Sequence, residues 1–346
     1  MVDRTLAERT SEVAMPVARA VQFTAPRCVD IIPVDVSEPG PGQVLVRTSY
    51  SGISAGTELL AYRGQLDPAM VLDERLGALS GTFRYPFRYG YSCVGRVVRG
   101  SSELPDGALV FAFHPHQDRF VLAAQDVVAL PEHLDPARGT LFPIVETALQ
   151  ISLDCGPVAH QPVVVLGLGV VGLLTALLLR RGDAGVIGVE PVAERRQLAE
   201  SLGVRTTDPS GVVQAVREAS AGQGVPLVVD AAGAPSALAS APELLAHEGT
   251  ALVAAWYGTQ PVTLPLGGAF HRRRLTLRST QVSTIPAKLS SAWNVPRRRV
   301  VALGLLDELP LDRLPLMEMP FTEAAQAYAA LDRGGLDVLH VALRYD

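Results

Sequence analysis

Residues 163–190 read VVVLGLGVVGLLTALLLRRGDAGVIGVE, a run that places two aliphatic stretches, three spaced glycines, an apolar helix pattern and a terminal acid in one order. The order predicts a buried strand over Val163–Leu166, a tight turn, a helix, and a second strand over Val186–Val189 that ends on Glu190. Within Gly167-Leu168-Gly169-Val170-Val171-Gly172 each glycine has a mechanical task. Gly167 allows the strand-to-helix turn, Gly169 lets the backbone approach a pyrophosphate, and Gly172 lets helix and strand pack closely. The helix N-terminus offers free N–H groups and the positive end of a dipole to the phosphates. The carboxylate of Glu190 can accept hydrogen bonds from the adenosine ribose and repels a 2′-phosphate. NAD is therefore expected over NADP. Arg195 and Arg196, one helical turn further on, either stay solvated or reach back to a phosphate.

At 346 residues the chain is long enough for two cores, and 48% hydrophobic content fits a well-packed globular enzyme. A net charge of −5 gives no reason to expect nucleic acid. The basic residues are almost all arginine, with Lys288 the single lysine. Cys28, Cys93 and Cys155 are odd in number, widely spaced and contain no CxxC pair, which points to a reducing compartment. The first residues are mixed polar and charged without an apolar core run, and Leu173–Leu179 is too short to span a bilayer, so a cytoplasmic protein is expected.

The half in front of the glycine motif is strand-like and rich in turn signals. Val44–Tyr50 follows Pro39-Gly40-Pro41-Gly42, Val94–Val98 follows Gly90, and Leu109–Phe113 follows Pro105-Asp106-Gly107, with Arg119–Leu122 soon after. This predicts a mostly antiparallel β domain. Behind the motif, helix patterns at Ala193–Leu202, Val212–Ala219 and Pro235–His247 alternate with buried strands at Leu227–Asp230, Thr250–Ala255 and Leu275–Arg278, the signature of a covered parallel sheet. From about Val295 the chain holds one more predicted helix, Phe321–Leu331, and a closing strand, Val338–Leu343. That piece is too small to fold alone and should return to the first domain. Ala255, Trp256 and Tyr257 end a sheet strand on the side where strand C-termini face a cofactor, so their backbone is expected beside the nicotinamide.

Four stretches carry a family resemblance: Ser51-Gly52-Ile53-Ser54-Ala55-Gly56-Thr57-Glu58, Pro86-Phe87-Arg88-Tyr89-Gly90-Tyr91-Ser92, the glycine motif, and Asp230-Ala231-Ala232-Gly233. Over residues 18–346 the chain resembles the medium-chain dehydrogenase/reductase superfamily, of the zinc alcohol dehydrogenase type. The resemblance implies an α/β fold: a GroES-like β-barrel catalytic domain (1–155 and 293–346) plus a doubly wound Rossmann domain (156–292), in which Ala231 adds to the cofactor site. It also implies an NAD(P)-dependent oxidoreductase that acts on a small-molecule substrate, with neither nucleic acid nor membrane as partner, assembled as a homodimer through the nucleotide domain. Phe111-Ala112-Phe113-His114-Pro115-His116-Gln117 and Val145-Glu146-Thr147-Ala148-Leu149-Gln150 look like the bacteriochlorophyllide a dehydrogenase-like branch, where a secondary hydroxyl is oxidised to a ketone.

The departures from that family are informative. Zinc members typically carry cysteine where Ser54 stands and Gly-His-Glu where Gly90-Tyr91-Ser92 stands. The four-cysteine structural lobe is also absent, since Gly95–Val121 contains no cysteine. Ser and Tyr are not usual zinc ligands, and Glu58 with Glu146 alone would hold zinc poorly. A zinc-independent enzyme is expected.

Without zinc, a side chain must hydrogen-bond the reacting oxygen and handle one proton, since the nicotinamide handles the hydride. Tyr91 is the first candidate, and its alternative is to fill the space a metal would take. Glu58 and Glu146 are the next, as buried base or relay, or as structural carboxylates that cap N–H groups or pair with an arginine. Ser54 and Thr57 either extend a hydroxyl relay or bond locally. His114 and His116 flank a proline, and one can face inward as a proton carrier. The run His271-Arg272-Arg273-Arg274 reads as a solvated edge or a phosphate site. The activity expected is interconversion of a secondary alcohol and a ketone on a small or medium polyfunctional substrate. Two rivals stay open: NADPH-dependent reduction of a polarised C=C or C=N bond, and a nucleotide-binding sensor or scaffold without catalysis.

Overall fold

A computed structural model describes residues 17–336 and 338–346. Residues 1–16, read above as lacking an apolar leader core, lie outside the described residues. Turn residues cut the front half into short strands. β1 (Ala18–Ala25) and β2 (Cys28–Val34) form an antiparallel hairpin. β3 (Gln43–Ile53), α1 (Thr57–Arg63), β4 (Cys93–Arg99), β5 (Leu109–Ala112), β6 (Arg119–Ala123) and β7 (Val127–Ala129) follow, then α2 (Pro136–Gly139) and α3 (Phe142–Cys155). β3, β4, β5 and β7 are hydrogen-bonded in that order with β6 also on β3, and all these pairings are antiparallel.

The second half opens with β8 (Pro162–Leu166), α4 (Val170–Arg181), β9 (Gly185–Val189), α5 (Ala193–Ser201), β10 (Arg205–Thr207) and α6 (Val212–Ala219). β11 (Val225–Asp230), α7 (Pro235–Leu244), β12 (Leu245–Val253) and β13 (Thr276–Ser279) complete it. Their order across the sheet is β10-β9-β8-β11-β12-β13, and every pairing is parallel. This is the doubly wound Rossmann arrangement. The winding reverses between β8 and β11, which opens a crevice at the C-terminal ends of those two strands.

The chain then returns through α8 (Val295–Glu308), β14 (Leu316–Pro320), α9 (Ala324–Arg333) and β15 (His340–Arg344). β15 pairs antiparallel with β3 and parallel with β14, which extends the front sheet. No helix among the described residues is long and apolar enough to cross a membrane.

Three local expectations are corrected. The helix expected to His247 stops at Leu244, because Leu245 is extended and pairs with Val225 as the start of β12. The C-terminal segment holds a second long helix, α8, whose start is marked by Asn294: its side chain accepts the Arg297 N–H at 2.8 Å. The basic run Arg297-Arg298-Arg299 obscured its apolar stripe of Ala302, Leu305 and Leu306. The closing strand starts at His340 instead of Val338.

α3 lies where the two halves meet. One apolar cluster runs from Val94, Leu109 and Phe111 through Phe142, Val145 and Ile151 to Leu173, Leu174 and Leu305. Each large apolar side chain so buried contributes roughly 1.5–3 kcal/mol. This shared core sets the geometry of the cleft above it.

Candidate active site and cofactor crevice

The glycine turn is shaped by close approach. A Cβ on Gly172 would lie 1.9 Å from the Gly167 carbonyl oxygen, so any side chain there would push α4 off the turn. At Gly169, the N-cap of α4, a Cβ would meet nothing within 4 Å and no side chain caps the helix. The N–H groups of the first turn therefore face open space, the cradle that a pyrophosphate requires. The Leu168 side chain is buried in the core, while its N–H donates to Glu190 Oε2 at 2.9 Å. Val170 and Val171 are the first helical residues and only partly buried.

Glu190 is itself buried. Oε2 takes the Leu168 N–H and Oε1 takes the Val192 N–H at 3.0 Å, so the carboxylate ties the glycine turn to the end of β9. The Arg196 Nη1 donates to the carbonyl oxygens of Glu190 and Pro191 at 2.7 and 2.8 Å. Ala231 packs under the turn, 3.3 Å from the position of a Gly172 Cβ. The Ala254 and Ala255 N–H groups both donate to the Asp230 carbonyl at 2.9 Å, and the Tyr257 hydroxyl donates to Asp230 Oδ2 at 2.7 Å. Burial, together with that carboxylate, drives the Tyr257 phenol far above its ordinary range, so it is a fixed strut. Trp256 is different: its ring is 41% exposed and lies 6.3 Å from Phe83 of the front domain.

That contact leads to the other candidates. Phe83 packs edge-on to Tyr89 at 5.1 Å and Tyr89 to Tyr91 at 6.2 Å, a series of rings running from the end of β12 to Tyr91. The two halves also meet where the Thr259 N–H donates to the Gln65 carbonyl at 2.9 Å. Tyr91 is half-buried, with the hydroxyls of Ser54 and Thr57 against its phenol. Burial raises its pKa to about 12, the charge of Glu58 adds to the rise, and the two hydroxyls oppose it. At neutral pH the phenol carries its proton.

Glu58 sits on α1 behind Tyr91 and is fully buried. Its Oε1 accepts the Ser54 N–H at 2.9 Å, and its Oε2 accepts the Tyr328 hydroxyl and lies 2.8 Å from His116 Nε2. Gly90 has a φ of +106°, and a Cβ there would lie 2.5 Å from the His116 ring, so glycine lets the histidine pass beneath the segment that delivers Tyr91. His114 is stacked on Phe120 at 4.0 Å, and burial lowers its pKa to about 4. It is a neutral packing residue, and its partner His116 is the inward-facing one.

Glu146 belongs to a different group. Its Oε1 accepts from Nε and Nη2 of Arg298 at 3.1 and 3.0 Å, with Arg299 Nε at 3.6 Å. Arg298 is 2% exposed and also donates to Gln150 Oε1 at 2.6 Å. The structure thus brings Tyr91, Ser54, Thr57 and Glu58 together and gives Glu146 the arginine partner, a pin between α3 and α8. The run His271–Arg274 is an edge: Arg273 donates to the Leu245 carbonyl and Arg274 pairs with Glu248. Ser51, Tyr328, Tyr345 and Arg298 were not singled out in the sequence. No local spacing marks them, because their partners lie 65 to 294 residues away.

An open phosphate cradle on a Rossmann sheet, joined by a ring series to a protonated phenol on a β domain, defines a dinucleotide-dependent oxidoreductase. A family profile for zinc-binding dehydrogenases matches residues 170–295. The chain is 28% identical over 332 residues to 2-desacetyl-2-hydroxyethyl bacteriochlorophyllide A dehydrogenase of Cereibacter sphaeroides, covering 90% of this chain and 93% of that one. It is 26% identical to L-threonine 3-dehydrogenase of Pyrococcus furiosus, over 63% of this chain and 70% of that one. The crystal structure of 2R,3R-butanediol dehydrogenase from Bacillus subtilis superposes with a TM-score of 0.76 at 19% identity, covering 95% of this chain and all of that one. Over most of its length the chain is similar to medium-chain dehydrogenases/reductases.

Proposed function

We propose that this chain is a zinc-independent, NAD-preferring dehydrogenase that interconverts a secondary alcohol and a ketone on a small or medium polyfunctional substrate. The observation that carries the reading is the Tyr91 phenol, held in proton-bearing form beside Ser54 and Thr57 at the place where zinc relatives bring a metal ligand. Bound in the crevice, the nicotinamide would supply the two-electron exchange. The protein's part is to hydrogen-bond the substrate oxygen through Tyr91, which stabilises charge developing there. The names of the relatives support the substrate class, since a hydroxyethyl group, threonine C3 and butanediol all present secondary hydroxyls.

The donor set does not fit zinc. Ser54 and Tyr91 are poor ligands, the Glu58 carboxylate already accepts from the Ser54 N–H and the Tyr328 hydroxyl and lies against His116 Nε2, and Glu146 is paired with Arg298. The expected result is oxidation of secondary alcohols with NAD by protein that holds no stoichiometric zinc. About one tight zinc per chain by elemental analysis, with activity lost on chelation, would overturn this.

Two features support NAD. Glu190 closes β9, where an acid can accept ribose hydroxyl hydrogen bonds, and Arg196 is spent on backbone carbonyls. Glu190→Ala is expected to weaken NAD binding at least about tenfold, since charge-assisted hydrogen bonds contribute roughly 1.5–3 kcal/mol each, and to narrow the gap to NADP. A parent protein that binds NADPH more tightly than NADH contradicts the assignment. Thiols at Cys28, Cys93 and Cys155 are all unpaired, which supports a reducing, cytoplasmic setting.

A homodimer through β13 completes the reading. Among the described residues this strand has one free edge, and Leu277 on it is 42% exposed beside an apolar recess of Leu264, Leu266 and Phe270. Light scattering should give twice the chain mass at micromolar concentration; a monomer there removes the proposal.

A further inference from the structure

The loop that leaves β12 is held at two points. The Tyr257 hydroxyl donates to Asp230 Oδ2 on the Rossmann side. The Thr259 N–H and hydroxyl both donate to the Gln65 carbonyl of the front half, at 2.9 and 3.2 Å. Trp256 precedes both anchors. At 41%, its ring is the only exposed Phe, Tyr or Trp side chain among the described residues. It lies against Phe83 with 64° between the ring planes, and Phe83 itself is only 3% exposed.

Phe83 has a second apolar neighbour. Val71 and Thr82 form an antiparallel bridge, flanked by the Phe83 N–H on the Met70 carbonyl at 3.1 Å and the Leu72 N–H on the Gly81 carbonyl at 3.0 Å. Side chains alternate between the faces of such a pair, so Met70 stands opposite Phe83, on the face away from Val71 and Thr82. Met70 is also 41% exposed. Single exposed apolar side chains are ordinary on a protein surface. Here two of them flank one buried ring at the seam between the halves, and that ring begins the series Phe83–Tyr89–Tyr91. Phe83 and Tyr89 are buried, while Trp256 at one end and Tyr91 at the other keep open surface.

We propose that Trp256, backed by Phe83 and flanked by Met70, is a specificity-determining residue that selects secondary alcohols carried on a flat, unsaturated ring system. The inference rests on the reading of Tyr91 as hydrogen-bond donor to the reacting oxygen and adds what holds the rest of the molecule. A substrate with its oxygen at Tyr91 extends along the ring series and ends against the indole. Three features favour a flat occupant over an alkyl chain. An indole face is broad and rigid, and a second ring gains from it a contact beyond the area covered. The Met70 thioether is soft enough to follow a ring edge. The anchors at Tyr257 and Thr259 fix the loop beforehand, so little freedom is lost on binding. Seams between domains are also where small-molecule sites concentrate.

The test compares 1-phenylethanol and 1-(2-naphthyl)ethanol with 2-octanol, an apolar secondary alcohol without a ring, using full-length protein and NAD. In Trp256→Ala the kcat/KM ratio of aryl alcohol over 2-octanol should fall about tenfold, the scale of a ring–ring contact. Trp256→Phe should keep most of the ratio, and Met70→Ser should lower it by a smaller factor. A packing role would weaken all three alcohols alike, so an unchanged ratio in folded Trp256→Ala overturns the inference. A parent that oxidises none of them overturns the dehydrogenase reading instead, and binding then decides the indole surface by itself. Trp293→Phe leaves Trp256 as the one tryptophan of the chain. With ADP-ribose present, which cannot accept a hydride, 1-phenylethanol should shift its emission to the blue and shield it from acrylamide. 2-Octanol should do so only at several-fold higher concentration. No shift, or equal shifts at equal concentrations, overturns the inference. Emission already blue and shielded before any alcohol is added shows that a second copy covers the ring, which overturns it too. This arm leaves residue 256 intact, so it stands even if Trp256→Ala does not fold.

Discussion

Tyr91→Phe is expected to lower turnover by about 100- to 1000-fold while cofactor affinity stays nearly unchanged. The substitution removes one oxygen and keeps the ring, so the contact with Tyr89 and the packing of the strand after Gly90 persist. In the proposed reading the cofactor is held elsewhere, at the N-terminus of α4 and beside Glu190, so its dissociation constant is expected not to move. The loss should fall on kcat and kcat/KM together, the mark of an interaction made in the transition state. Stopped-flow measurement of the NADH absorbance, with cofactor titration by fluorescence, reads both quantities. A variant that keeps most of its turnover shows Tyr91 to be packing, and the donor would then be sought at Ser54 or Thr57, whose hydroxyls touch the same space.

The second large effect is on stability. Arg298→Ala should destabilise the fold by about 3–5 kcal/mol, because it strands a buried carboxylate. Glu146 lies in the seam between α3 and the helices that cover it, and Arg298 supplies its two short contacts. Arg299 at 3.6 Å is the available substitute, and its guanidinium is already placed over the Phe113 ring at 5.0 Å. Replacing both partners together, Arg298→Met with Glu146→Leu, should recover most of the loss, since two apolar side chains of similar volume need no partner. Denaturant unfolding of the two single variants and the double variant gives the coupling. Losses that simply add would show that the pair does not act as a unit.

How far each site could be read depended on the distance between its parts. The cofactor crevice is built almost entirely from one continuous stretch, Val163–Glu190, where aliphatic runs, glycine spacing and a terminal acid act on immediate neighbours. Its strands fall within one residue of the expected ends, and the expected helix lies between them. Tyr91 stood out because it follows Gly90 at a family landmark. The role of Glu58 could not be read the same way. A buried glutamate in sequence is equally a base, a cap or half of an ion pair, and the groups that decide between these come from three separate parts of the chain, around Ser54, His116 and Tyr328. Glu146 illustrates the same limit: its apolar surroundings required a partner, but nothing local named Arg298, 152 residues away on a helix hidden behind three consecutive arginines.

The sequence by itself determined the β-rich front half, the alternating strands and helices behind it, the phosphate-binding turn and the absence of the usual zinc ligands. These follow from side-chain periodicity, backbone freedom at glycine and the chemistry of single residues, all of which act over a few positions. Tertiary structure alone decided that Glu58 joins a buried hydrogen-bond cluster and that Glu146 pairs with an arginine. It also placed His116 inward and His114 in packing, and it ended α7 at Leu244 so that Leu245 could pair with Val225. The physical reason is that a buried polar group takes its meaning from the partner that satisfies it, and the fold brings that partner from a distant part of the chain.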